Sequence, residues 1–251
     1  MRCFRFWQIA FLTMVSLASI LGDAWQPVAH AQYIPPDRGL PGRREGGGTR
    51  GDCAVRSEDL SSLPLIALVP ETNFGVTVSL EPTLYWYVPR VAAAGIELAV
   101  FDQNDEPVYQ TVVPVPDQGG VVSIPIPTVD QGSAKVSRLI ANEDYHWYLS
   151  LICNEVDRSG DIFVEGWLRR IESSAELEQQ LSTSTPEMKF SVYQEFGIWQ
   201  DALDQVAQQL CQQPQNPIVR DRWTTLLASV QITGLESATL VSSCNSNTLA
   251  Q

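Results

Sequence analysis

His146 is the only histidine after residue 31, so any Ser-His-Asp or Cys-His arrangement in the body of the chain has to use it. It sits inside YHWYLSLIC at 145–153, between Tyr145 and Trp147. A packed, hydrogen-bonded imidazole is the expectation there, and no nucleophile elbow accompanies it. Carboxylates are the other source of acid/base chemistry. Glu97, Asp161 and Glu165 could supply a pair, with Trp167 on the same strand face as Glu165, the arrangement of many sugar sites. Acidic residues are so frequent in this chain, however, that some must fall near one another by chance. Asp102, Asn104, Asp105 and Glu106 look like the start of a calcium loop, but Pro107 stands where glycine is needed and Val113 where a closing glutamate belongs. A solvated hairpin is expected instead. Gly46, Gly47 and Gly48 precede Thr49-Arg50 and not Lys-Ser, which removes the phosphate-loop reading.

Cysteines complete the inventory. Cys3 belongs to the leader discussed below, which leaves Cys53, Cys153, Cys211 and Cys244. Three connectivities exist. Cys53 and Cys153 fall in one region and Cys211 and Cys244 in another, which favours pairing within each. No two are spaced closely enough for a zinc knuckle. The expectation is a non-catalytic protein with no cofactor and no metal.

The elements that would carry these residues divide the chain in four. Residues 1–31 hold Arg2 and Arg5, an apolar run from Ile9 to Leu21, and Ala29-His30-Ala31, a small-x-small cleavage pattern. They read as a secretory signal peptide, too short in its apolar run to span a bilayer. Residues 32–52 are rich in Pro, Gly and Arg and read as a flexible tether, on which Arg38, Arg43, Arg44 and Arg50 could dock to an acidic body. Without residues 1–31 the chain keeps 14 basic and 28 acidic residues, a net charge of −14. Nucleic acid and anionic lipid are poor partners for such a surface. An apolar content of 44% excludes a disordered chain.

Residues 53–170 break into strand-like runs near 63–69, 75–80, 83–88, 96–101, 107–113, 120–126, 145–153 and 162–170. Hairpin turns at 102–107 and 154–161 join the fourth run to the fifth and the seventh to the eighth. In 145–153, Tyr145, Trp147, Leu149, Leu151 and Cys153 share one face, and the other face is also poor in charge, as suits a central strand with Trp86 and Trp167 packed beside it. The fold class expected is mainly β with α: an antiparallel immunoglobulin-like β-sandwich followed by a small C-terminal helical subdomain at 171–251. In that last region Ser173 and Glu176 suggest a capping box with Ile171 and Leu177 as its staple. Thr185-Pro186 and Asn216-Pro217 each open a helix. Trp199, Leu203, Val206 and Leu210 form one apolar stripe, and Val219, Trp223, Leu226 and Val230 form another.

The spacing from Tyr193 through Gly197, Trp199, Ala202, Leu203, Val206 and Leu210 to Pro214 resembles one tetratricopeptide-type hairpin, although Phe190 and Gln209 depart from that pattern and no second copy follows. An ordinary helical hairpin is expected. Half of a repeat array lacks the neighbour that covers its second face, so Tyr193, Trp199 and Trp223 are the expected partner-binding residues.

Thr49 through Cys53, LIALVPETNFGVTVSLEPTLYWYVP at 65–89, YHWYLSLIC, GWLRR at 166–170 and IWQDAL at 198–203, taken in order, resemble the secreted bacterial family called domain of unknown function 928. The resemblance implies an extracytoplasmic, most often cyanobacterial protein, and it brings no activity, cofactor or catalytic residue. The functional expectation is a secreted or periplasmic binding module of the cell envelope, whose partner is another envelope protein or a surface polymer. The alternative is a carbohydrate-active enzyme or carbohydrate-binding protein that uses carboxylates and aromatics. Intact-mass or N-terminal analysis of the exported protein is expected to find Gln32, free or cyclised, as the first residue, and recovery of Met1 would contradict the leader.

Overall fold

In the computed structural model of the chain, residues 40–46, 53, 63–128, 138–241 and 244 are described. The leader and most of the tether lie outside them. The described residues form two sheets and four α-helices. The strands are β1 (Ile66–Ala67), β2 (Phe74–Thr77), β3 (Thr83–Val88), β4 (Gly95–Phe101), β5 (Pro107–Val113), β6 (Gly120–Pro125), β7 (Glu143–Ile152) and β8 (Ile162–Arg170), followed by α1 (Ala175–Thr183), α2 (Lys189–Glu195), α3 (Trp199–Gln212) and α4 (Pro217–Ala228). The smaller sheet has the order β1-β3-β6 and the larger β2-β8-β7-β4-β5.

Strand β7 occupies the centre of the larger sheet, as its two apolar faces demand. Its inward residues Tyr145, Trp147, Leu149 and Leu151 are buried, while His146, Tyr148 and Ser150 on the other face are half-buried. Across the interior, β3 of the smaller sheet sends Trp86 against Trp147, edge to face with ring centroids 5.6 Å apart. Both indoles lie in one core with residues of both sheets. Trp167 is not part of that core. Its register partner on β7 is His146, so the pleat puts it on the outer face, where it stacks flat on the imidazole at 4.3 Å.

The larger sheet is mixed, not wholly antiparallel, because β2 runs parallel to β8. The connection from β2 to β3 carries the chain from the larger sheet to the smaller one. Residues 40–46 of the expected tether are docked. Arg43 and Glu165 exchange backbone hydrogen bonds of 3.2 and 2.9 Å, the Gly46 amide donates to Leu65 O at 2.7 Å, and Arg44 Nη1 donates to Val230 O at 2.8 Å. One short segment thus touches β8, the lead into β1 and the turn after α4.

The helices do not pack only on themselves. Alternation along β3 turns Tyr85 away from the inter-sheet core and into a second core with Leu68, Val121, Trp199, Leu203, Val206, Trp223 and Leu226. The outer face of the smaller sheet is therefore the neighbour that a lone helical hairpin would lack. Ser174, one residue beyond the expected cap, accepts from the Leu177 amide and starts α1, whereas Asn216 caps α4 with Pro217 in its first turn as expected. Cys53 is bonded to Cys153 and Cys211 to Cys244. No helix among the described residues is long and apolar enough to cross a membrane.

Gly166 faces Trp147 across the β7–β8 pair, and a methyl group there would come within 2.5 Å of the indole. Gly166→Ala is expected to destabilise the fold by about 1–3 kcal/mol in urea unfolding, because the packed Trp86–Trp147 pair cannot give way without strain.

Candidate functional site

Most residues singled out for chemistry are occupied in holding the fold. Arg158 Nη2 bonds Glu97 at 2.7 Å and its Nε bonds Asp161, whose other oxygen accepts from the Cys153 amide at 2.9 Å. Burial works against ionising Glu97, but the bonded Arg158 and Gln110 side chains and the Arg158 charge together hold its carboxyl below the usual range. Glu165 lies 3.2 Å from His146 Nε2, and His146 Nδ1 is 3.1 Å from the Tyr148 hydroxyl. Burial lowers the imidazole's pKa against the opposing pull of Glu165. Asp102 spends one oxygen on the Asn104 and Glu106 amides at 2.8 and 3.0 Å, which makes the 102–107 segment a self-bonded hairpin turn. Among the described residues no group of three or more His, Cys, Asp or Glu is placed to hold a metal ion.

Of the expected partner-binding residues, Trp199 and Trp223 are each 0% exposed. Their indole nitrogens donate to Leu68 O at 2.8 Å and Leu235 O at 3.4 Å. Both are core residues, because the sheet covers one side of the hairpin and α4 with the turn after it covers the other. Tyr193 is half-buried. It lines a polar cleft of about 200 Å³ that the sequence did not disclose.

That cleft forms where α3 crosses from β2 to β3. Thr77 ends β2, Ser79, Glu81 and Pro82 belong to the connection, Thr83 begins β3, Tyr193 comes from α2, and α3 supplies Gln200, Asp201, Asp204 and Gln205. Asp201 and Asp204 sit one helical turn apart and so share a face. Asp201 accepts from the Val78 amide at 3.2 Å. Asp204 accepts from the Tyr85 hydroxyl and from Gln208 Nε2, both at 2.6 Å. Burial drives the Asp201 carboxyl up to about 6, with hydrogen bonds from Thr77 and Val78 opposing and the Asp204 charge reinforcing the rise. Burial also raises Asp204, against hydrogen bonds from Tyr85, Thr83 and Gln208.

The arrangement gathers acceptors. Gln200 is 2% exposed, and its Nε2 donates to Thr83 O at 3.3 Å, which fixes the amide and leaves Oε1 without a hydrogen bond. No lysine or arginine is found among the described residues that line the cleft. Its sequence signal was faint. Asp201 in the first turn of α3 reads as an ordinary partner for the helix dipole. Nothing local ties either aspartate to strands more than a hundred residues away.

A family model described as Domain of Unknown Function (DUF928) matches residues 45–240. No curated protein and no solved structure matches the chain.

Because the folded-state value of Asp201 lies above its ordinary 3.8, this carboxyl stabilises the fold fully below that value, and its contribution is lost as pH rises through about 6. Asp201→Asn is expected to flatten this loss. Relative to the parent, the variant should gain roughly 1–3 kcal/mol in unfolding free energy between about pH 4 and pH 7, as read from urea titrations at each pH.

Proposed function

The chain belongs to the DUF928 family, the matched residues taking in both sheets and all four helices described above, and from that premise we propose that it is a non-catalytic binding module of the cell envelope. The observation that carries the reading is the acceptor-rich cleft over α3, which two half-buried carboxylates line together with the half-buried ring of Tyr193 and the buried Gln200, whose amide oxygen has no hydrogen bond. Polar groups converging in a depression are the mark of a recognition site. The cleft is smaller than the usual ligand pocket, which suits one protruding residue of a larger partner, either a side chain of an envelope protein or one unit of a surface polymer. Export is supported by the leader pattern and by two disulfides, which persist in an oxidising compartment. We read the two facing sheets followed by helices as a sandwich of immunoglobulin-like kind with a C-terminal helical layer, a reading supported by the antiparallel pairs and opposed by the parallel β2–β8 edge.

A second reading, a carbohydrate-active enzyme, draws on one specific feature. Asp201 and Asp204 are two carboxylates pushed upward in one cleft, and raised acids often serve as proton donors. Against it, Asp204 has both oxygens engaged by Tyr85 and Gln208, so it acts first as a brace between helix and sheet.

Mature protein, residues 32–251, incubated with isolated envelope polymers and envelope extract, separates the two. Saturable retention of a component recovered chemically unaltered is the expected result. Release of shortened soluble sugars would overturn the binding reading in favour of the enzyme, and absence of retention would overturn both.

A further inference from the structure

The cleft over α3 has a definite electrostatic deficit. Its titratable groups are Asp201 and Asp204 from α3, Glu81 from the β2–β3 connection and Tyr193 from α2, with Tyr85 of β3 bonded to Asp204 from beneath. Glu81 is engaged at the rim, accepting from the Thr128 hydroxyl at 2.7 Å and the Thr128 amide at 3.2 Å. Among the described residues, the ionisable groups facing the cleft are all acidic. The neutral groups add acceptors too. Gln200 Oε1 is buried without a donor, and the residue opposite it, Gly75, has no side chain to supply one. A buried acceptor in this state is satisfied by a donor that arrives with a ligand or with water.

We propose that this cleft takes a protonated primary amine, held by the carboxylates of Asp201 and Asp204 beside the ring of Tyr193. The proposal rests on the binding reading above and names the chemistry of its ligand. An ammonium places three donors on one compact centre. The acceptors here come from successive turns of α3 and from an amide, and not from one planar pair. That suits an ammonium better than a guanidinium, which seeks two parallel bonds to a carboxylate. Each carboxylate oxygen can accept more than one hydrogen bond, so Asp204 can receive the amine while keeping Tyr85 and Gln208. A divalent cation fits less well, since only two of the carboxylates lie in the depth of the cleft and no three-ligand group occurs among the described residues. The aromatic ring of Tyr193 adds a cation–π surface.

The amine can belong to an amino sugar of a surface polymer or to a lysine side chain, and the probes distinguish these sources. Isotope-labelled mature protein is titrated with glucosamine and with Nα-acetyl-lysine amide, each against its acetylated counterpart, N-acetylglucosamine and Nα,Nε-diacetyl-lysine amide. Acetylation keeps the body of each probe and removes the charge. At least one free amine is expected to bind tenfold or more tighter than its acetylated form, with shifts concentrated at Val78, Tyr193 and Asp201, and the tighter amine identifies the source. The same probe is expected to bind more weakly at about pH 5 than at about pH 7.5, as the Asp201 carboxyl takes up its proton. Asp204→Asn, checked for folding by its spectrum, is expected to lose the preference for the charged form. The unmodified protein decides the matter even if that variant does not fold. Equal binding of free and acetylated forms, or no shift at the cleft with either amine, overturns the inference. In that event retention of an envelope component by the same protein still stands as the separate test of the binding reading.

Discussion

Strand β3 has to be buried on both faces, and the rest of the architecture follows from that requirement. Trp86 and Leu84 turn inward against the larger sheet, while Tyr85 turns outward into the helices. Fully burying a large side chain is worth roughly 1.5–3 kcal/mol, so neither face can be left open without a substantial loss. The larger sheet covers one face through the Trp86–Trp147 contact. The helices cover the other, with Trp199, Leu203 and Val206 of α3 and Trp223 of α4 meeting Leu68, Tyr85 and Val121. The helical region is in this sense a third layer of one molecule, and its two indoles are its centre.

A buried face between a sheet and a helix also carries polar groups that must be satisfied. Trp199 Nε1 donates to Leu68 O, the Tyr85 hydroxyl donates to Asp204, the Val78 amide donates to Asp201 and Gln200 Nε2 donates to Thr83 O. These bonds form a seam along α3 and set its position over β2 and β3. Two of the acceptors are carboxylates, and taking them out of water has a cost that hydrogen bonds offset only in part, as the raised value of Asp201 records. At the N-terminal end of the same seam the packing opens into the cleft. The residues that would recognise a ligand are thus the residues that fix the helix, and the site is held in shape before any ligand arrives.

The local half of this structure was legible in the sequence. Alternation located all eight strands to within a few residues, the two hairpin turns lie where their Asp, Asn and Gly residues indicated, and the central place of β7 followed from the lack of charge on both its faces. Proline and asparagine marked the start of α4, whereas two adjacent serines left the start of α1 uncertain by one residue. What could not be read was pairing at long range. Trp167 looked like a core residue until its register with His146 set its face. Trp199 and Trp223 looked like an uncovered stripe because nothing near them announces that Tyr85 and Leu68 will cover it. The cleft was hidden for the same reason. Asp201 and Asp204 are two acidic residues among 29, and only the docking of α3 on β2 and β3 distinguishes them.

The central claim is that the smaller sheet and α3 stand or fall together, because each is the other's missing face. Native-state hydrogen exchange tests it most directly, by comparing amides of Leu84–Tyr87 in β3 with amides of Ala202–Leu210 in α3 across a series of low denaturant concentrations. One shared opening free energy and one denaturant dependence for both sets is the expected result. Exchange of the α3 amides through a cheaper opening, with β3 still protected, would contradict it and would make the helices a separable subdomain.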